Sequence, residues 1–180
     1  MKHIINYIQL EHYTDFPGKL IANCDVARSG KSAIAHTVTQ QCCTKGMLTS
    51  FFFDQEISGR NGPQTLFSTI MRDLAGLNQV LAKDIVEEDC SIASASLTRQ
   101  FEELILKLSS QYTFTKPAVI VIDALDEADE GQSSEIFTEL LDIFCNQVPN
   151  LPGMFRIFLT SWPKREFDKI QSQHDHVRLQ

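Results

Sequence analysis

The chain has 180 residues, 43% of them apolar, and a formal net charge of −7. That is enough apolar material for one sizeable core, so a single domain over residues 1–180 is expected. Its 16 basic residues are outnumbered by 23 acidic ones and lie scattered, which argues against a nucleic-acid partner, and no apolar run nears the roughly 18 residues that would span a bilayer. The opening MKHIINYIQLEH interrupts its apolar positions with polar ones where a signal peptide needs a continuous apolar segment. A soluble, cytoplasmic protein is therefore expected. The five cysteines (Cys24, Cys42, Cys43, Cys90, Cys145) are odd in number and lack metal-ligand spacing, which reads as reduced, mostly buried thiols. None of His36, His174 and His176 has a Cys or Glu partner at ligand spacing, so these histidines belong at the surface or the core edge.

In chain order, strands and helices alternate. Leu20 to Asn23 is a short apolar strand. Ile34, Ala35, Val38 and Cys42 then fall on one face of a helix. Met47 to Phe53 is the next strand and ends in Phe51, Phe52 and Phe53. Consecutive strand residues face opposite sides, so three aromatics in a row fit a strand covered on both faces, as in a parallel sheet between helices. The chain turns between Asn61 and Pro63, and Pro63 suits the first turn of a helix whose buried face is Leu66, Phe67, Ile70, Met71 and Leu74. Leu97, Phe101, Leu104, Ile105 and Leu108 mark another helix, and Lys116-Pro117 separates it from the strand around Val119. Ile136, Phe137, Leu140, Leu141 and Phe144 form a further stripe, ended by Pro149, Pro152 and Gly153. Phe155 to Thr160 is a strand, and Val177 to Leu179 a last short one. The pattern predicts an α/β fold: a three-layer sandwich with a mostly parallel, five-stranded sheet and helices on both faces. In such folds ligand chemistry gathers at the C-terminal ends of the strands.

Two motifs lie at such ends. Gly30, Lys31 and Ser32, within ARSGKSAIA, follow the first strand and open the first helix. In a phosphate-binding loop, backbone N–H groups and a helix N-terminus cradle the phosphates, with Ser29, Gly30 and Ala33 beside Lys31 and Ser32. The lysine reaches the outer phosphates and the hydroxyl ligates Mg²⁺. About ninety residues later AVIVIDALDEAD carries Asp123 to the end of an apolar strand and follows it with Asp126 and Glu127. A carboxylate buried at a strand end is costly without a partner, which points to a cation beside Asp123. Together the motifs predict a P-loop NTPase site that takes ATP or GTP with Mg²⁺. No Asn-Lys-x-Asp sequence for guanine recognition is present, which tilts the reading toward ATP.

In this order GKSAIAHTV, SFFFDQ, TLFSTIMRDLA, QFEELILKL, VIVIDALDEAD and RIFLTSWP resemble the NACHT domain of STAND-class P-loop NTPases. The likeness is closest to the nephrocystin 3-like N-terminal domain of fungal NACHT proteins. It runs from about Ile4 to Leu179 and is most specific at Asp123-Ala124-Leu125-Asp126-Glu127. The resemblance implies that Lys31 contacts the β and γ phosphates and Ser32 ligates Mg²⁺. It implies that Asp123 holds the ion through water, that Asp126 or Glu127 positions or deprotonates the attacking water, and that Arg60 matches a common basic position. It also implies a winged-helix or helical arm and repeats outside these residues, through which protein partners or self-association would act.

The chain departs from the family pattern at two places. Asp25 and Arg28 stand where the loop's first two glycines belong, and a carboxylate roughly 8 Å from a phosphate charge, at an effective dielectric near 20, would repel it by about 2 kcal/mol. Trp162 replaces an arginine that senses the γ-phosphate. A weakly hydrolysing or non-hydrolysing nucleotide switch is therefore expected. The alternatives are a degenerate domain serving as a structural or interaction module and a different P-loop enzyme such as a small-molecule kinase.

Overall fold

The computed structural model describes residues 19–26, 28–43, 47–54, 56, 62–77, 92, 94–111, 118–128, 134–163 and 177–179. Its elements are β1 (Leu20–Cys24), α1 (Lys31–Cys43), β2 (Met47–Phe52), α2 (Leu66–Leu77), α3 (97–111), β3 (Ala118–Asp123), α4 (134–147), β4 (Phe155–Ser161) and β5 (Val177–Leu179). The five strands form one sheet in the order β2-β3-β4-β1-β5, and every pairing is parallel. Parallel neighbours cannot be joined by a hairpin, so each connection crosses over the sheet. The expected fold class is present, and the strand ends move by a residue or so.

Strand parity sorts the core into two layers. Ile21, Val119, Val121 and Phe158 face α1 and pack with its Ala35, Val38 and Cys42. Their neighbours Leu20, Ala22, Ile120, Ile122, Ile157 and Leu159 face the other way, into a larger core shared with α2, α3 and α4. The three phenylalanines divide as parity requires. Phe51 and Phe53 enter the larger core edge to face at 4.8 Å, while Phe52 stacks on His36 of α1 at 4.5 Å. His36 is thus an exposed helix residue lying on an aromatic ring.

Pro63 opens a 3₁₀ turn, Pro63–Thr65, that leads directly into α2. Ser96 caps α3 by accepting the Arg99 N–H, and Glu139 of α4 accepts from both the backbone and hydroxyl of Thr98, tying α3 to α4. Both helices widen to π-type turns, at Phe101–Lys107 and Ile143–Gln147. A 3₁₀ turn at Val148–Asn150, with Pro149 inside it, ends α4. Among the described residues no helix is long and apolar enough to cross a membrane. Cys90, His174, His176, Arg60, and the Asn61 and Lys116-Pro117 turn signals lie outside the described residues.

The thiols differ sharply in environment. Cys42 and Cys145 are buried and Cys43 is exposed. Burial, reinforced by the nearby Asp142 charge, pushes the Cys145 thiol up to about 11. At pH 8 only about one Cys145 in a thousand is then a thiolate, and the thiolate is the nucleophile. A brief iodoacetamide pulse on the native protein at pH 8, read by peptide mass spectrometry, is expected to modify Cys43 and leave Cys145 intact until denaturant is added. Equal labelling of the two would contradict the buried position of Cys145.

Candidate functional site

The loop between β1 and α1 follows a glycine-like path. Gly30 has φ +92°, and a Cβ built there meets nothing within 4 Å, so backbone conformation rather than space selects glycine. Arg28 has φ 64°, a left-handed conformation that costs an L-residue about 1–2 kcal/mol. The resemblance places a glycine at this position, and the fold has kept the glycine's backbone under an arginine side chain. Lys31, only 9% exposed, turns back into the loop and donates to the carbonyls of Asp25 at 2.6 Å and Val26 at 2.9 Å. Its ammonium thus already sits among oxygen acceptors. The Asp25 carboxylate accepts the Val26 N–H at 2.7 Å on the exposed side of the loop and lines neither cleft described below. The repulsion estimated from sequence assumed a carboxylate facing the phosphates, and solvent screens it in the position it takes.

The acidic turn is built from β3. Asp123 ends the strand at 5% exposure, and Ala124 takes a left-handed φ of 54° before the 3₁₀ turn Leu125–Ala128. The tip of β4 holds this turn at two points. The Ala124 N–H donates to the Thr160 hydroxyl at 3.0 Å, and that hydroxyl in turn donates to Asp123 Oδ1. The Trp162 N–H donates to Asp126 Oδ1 at 2.8 Å. Burial of Asp123 therefore does not by itself call for a cation, contrary to the inference from sequence, because a neutral hydroxyl satisfies one of its oxygens.

The two motifs meet across the tip of β4. A cleft of about 300 Å³ is lined by Arg28, Gly30, Lys31, Ser32 and Ala33 from the loop and α1, and by Ala124, Asp126, Glu127, Thr160 and Trp162. A larger cleft of about 660 Å³ shares Ser32, Ala124, Asp126, Glu127 and Trp162 and adds Asp123, Phe53, Asp54 and Glu56. Ser29, next to Gly30 in the loop, is exposed and is not among the residues that line these two clefts. Trp162 is 55% exposed and forms wall rather than core. All three described residues with positive φ, Arg28, Gly30 and Ala124, line the smaller cleft. Sequence reasoning missed Thr160, Asp54 and Glu56. For Thr160 a signal was present, since Thr160-Ser161 makes a polar end to the apolar run Ile157 to Leu159.

The charges of the site are uneven. Asp54, Glu56, Asp123, Asp126 and Glu127 face the clefts against Arg28 and Lys31. Among the described residues no three His, Cys, Asp or Glu side chains come together to hold a metal ion. An ion bound here would need ligands beyond the protein's carboxylates.

Residues 26–162 match the family described as Nephrocystin 3, N-terminal. A search of curated proteins finds no match. Among solved structures the chain is similar to the Walker-type ATPase of Pyrococcus abyssi, with 16% identity and a TM-score of 0.48 over 96% of this chain and 48% of that one. The chain thus spans about half the length of that structure.

The left-handed residues give a direct test of the loop geometry. Arg28→Gly is expected to raise the unfolding free energy by up to about 1 kcal/mol, because relief of the strained φ outweighs the added freedom of the unfolded chain. Gly30→Ala is expected to lower it by about 1 kcal/mol or more. Urea unfolding followed by circular dichroism measures both, and a destabilising Arg28→Gly would show that position 28 is not left-handed.

Proposed function

The chain belongs to the nephrocystin 3, N-terminal family, and on that footing we propose that it is a NACHT-type switch domain of the STAND class, binding ATP or GTP with Mg²⁺ and hydrolysing it slowly or not at all. The observation that carries the reading is the smaller cleft, where Gly30, Lys31 and Ser32 meet Asp126 and Glu127 from the other motif. Neighbouring N–H groups at the start of α1, together with Gly30, form a cradle for an anion. Lys31 supplies the cation. Phosphate oxygens entering the loop would replace the carbonyls of Asp25 and Val26 as its acceptors.

The Ser32 hydroxyl and the Asp123 carboxylate line the larger cleft and are the hard oxygen donors that Mg²⁺ prefers. One carboxylate and one hydroxyl make an incomplete shell, and phosphate and water oxygens would complete it, as is usual for this ion. When bound, the ion neutralises charge on the phosphates. Asp126 and Glu127 supply the carboxylates that orient a water, with Asp126 fixed by the Trp162 N–H.

Slow turnover follows from the same wall. Charge develops on the γ-phosphate side in the transition state, and an arginine there is worth orders of magnitude in rate. Trp162 lines both clefts and supplies no cation of its own. A second reading, a domain that no longer binds nucleotide and serves as an interaction module, is favoured by the surplus of carboxylates over cations around the clefts.

Lys31→Ala is expected to abolish binding of Mg-ATP and Mg-GTP in calorimetric titration, because the helix N-terminus alone leaves most of the phosphate charge uncompensated. The wild type at a hundredfold excess of nucleotide over the dissociation constant should gain about 2.7 kcal/mol of stability. No stabilisation by either nucleotide would favour the module. Trp162→Arg is expected to raise single-turnover hydrolysis by tenfold or more, a gain of about 1.4 kcal/mol in transition-state stabilisation, with little change in affinity. An unchanged rate would remove position 162 from the reacting end of the site.

A further inference from the structure

We infer that Thr160 is a positioning residue for the metal-facing carboxylate: its single hydroxyl proton fixes Asp123, and its lone pair fixes the turn that carries Asp126 and Glu127. The inference rests on the nucleotide-site reading. Its basis is the direction of the two hydrogen bonds. A backbone N–H can only donate, so where Ala124 meets Thr160 Oγ1 at 3.0 Å the hydroxyl is the acceptor. The one proton of that hydroxyl then goes to Asp123 Oδ1. Oδ1 is thereby engaged. Among the described residues Oδ2 receives no hydrogen bond, and Asp123 lines the larger cleft with Ser32. The Thr160 contact thus decides which oxygen of Asp123 is left for an ion.

The second bond acts on the turn. Ala124 holds a φ of 54°, which an alanine does not adopt without a constraint. The Thr160 hydroxyl supplies one by accepting its N–H, and the next residues along the chain are the turn with Asp126 and Glu127. Thr160 is 1% exposed and also lines the smaller cleft, so a bound phosphate would lie beside the group that orients both acids. The chemistry needs a hydroxyl here. Valine has the shape of threonine and makes neither bond, whereas serine can make both.

Thr160→Val and Thr160→Ser separate the hydroxyl from the shape. Calorimetric titration with ATP, in EDTA and in millimolar Mg²⁺, gives the gain in affinity that the ion confers. In Thr160→Val that gain, the ratio of the two affinities measured on the same variant, is expected to fall by about tenfold or more, while Thr160→Ser keeps it within about threefold of wild type. A wild-type Mg²⁺ gain in Thr160→Val, or an equal loss in Thr160→Ser, would overturn the inference. Should Thr160→Val fail to fold, Thr160→Ala takes its place, since the smaller side chain admits water to both stranded partners. A thermal-unfolding cycle on the nucleotide-free protein distinguishes failure of this inference from failure of the site reading. Melting-temperature losses of Thr160→Val and Asp123→Ala should fall short of adding in the double variant, and full additivity would show that the contact does not exist. A wild type that binds no nucleotide, with the cycle still non-additive, would overturn the metal role and the site reading while leaving the contact in place.

Discussion

The site depends on one feature of the sheet, the pairing of β4 with β1 on one side and β3 on the other. Leu20 to Cys24 run in register with Ile157 to Ser161, and Ala118 to Ile122 with Phe155 to Leu159. Because all of these pairings are parallel, the strand that leads into the Gly30 loop and the acidic strand end at the same edge of the sheet, with the β4 tip between them. The ladder is backbone, but side chains on both faces fix its register. A slip by one residue would exchange Phe158 for Ile157 or Leu159 and turn each layer's residues toward the wrong helices. The site is therefore as stable as the core that sets the register.

Backbone strain gathers at the same edge. Arg28 and Ala124 are held in the left-handed region, which Gly30 occupies without strain, and all three line the cleft. Such conformations persist only where the surroundings over-determine them. Here the Lys31 ammonium, bonded to two loop carbonyls, and the Thr160 hydroxyl, bonded to Ala124, supply that constraint. The loop and the turn are thus held before any ligand arrives. Part of the ordering cost of binding is already met by folding.

Electrostatics set the limits of function. Five carboxylates facing the clefts against one lysine and one arginine make a wall that tolerates phosphate only with added positive charge. Under the proposed function, an ion at Ser32 and Asp123 would supply it. Trp162 adds none, although its backbone N–H still orders Asp126. Scaffold and chemistry have separated at this residue: the main chain keeps its structural role while the side chain gives no electrostatic help.

The amino-acid sequence by itself determined what is local or periodic. Apolar runs of strand length and stripes at i, i+3 and i+4 specified the alternating elements, the three consecutive phenylalanines announced a sheet covered on both faces, and Gly-Lys-Ser ahead of a helix with an acid-ended strand downstream marked the cleft. Only the tertiary structure decided how distant groups meet. Thr160 lies 37 residues from Asp123, and no spacing rule couples them, so the hydroxyl that satisfies one Asp123 oxygen was invisible until β4 was placed between β1 and β3. The same holds for Asp25, whose charge was legible but whose direction, toward the Val26 N–H and away from the cleft, is a property of the folded loop. The π-type turns were not read from the sequence either: Phe101, Leu104 and Ile105 in α3 keep the spacing of an ordinary helix, while in α4 Ile143, Phe144 and Cys145 are buried in succession. Sequence pattern reports which face of an element is apolar. Which polar groups then satisfy one another depends on strand order and register, set by packing of the whole chain.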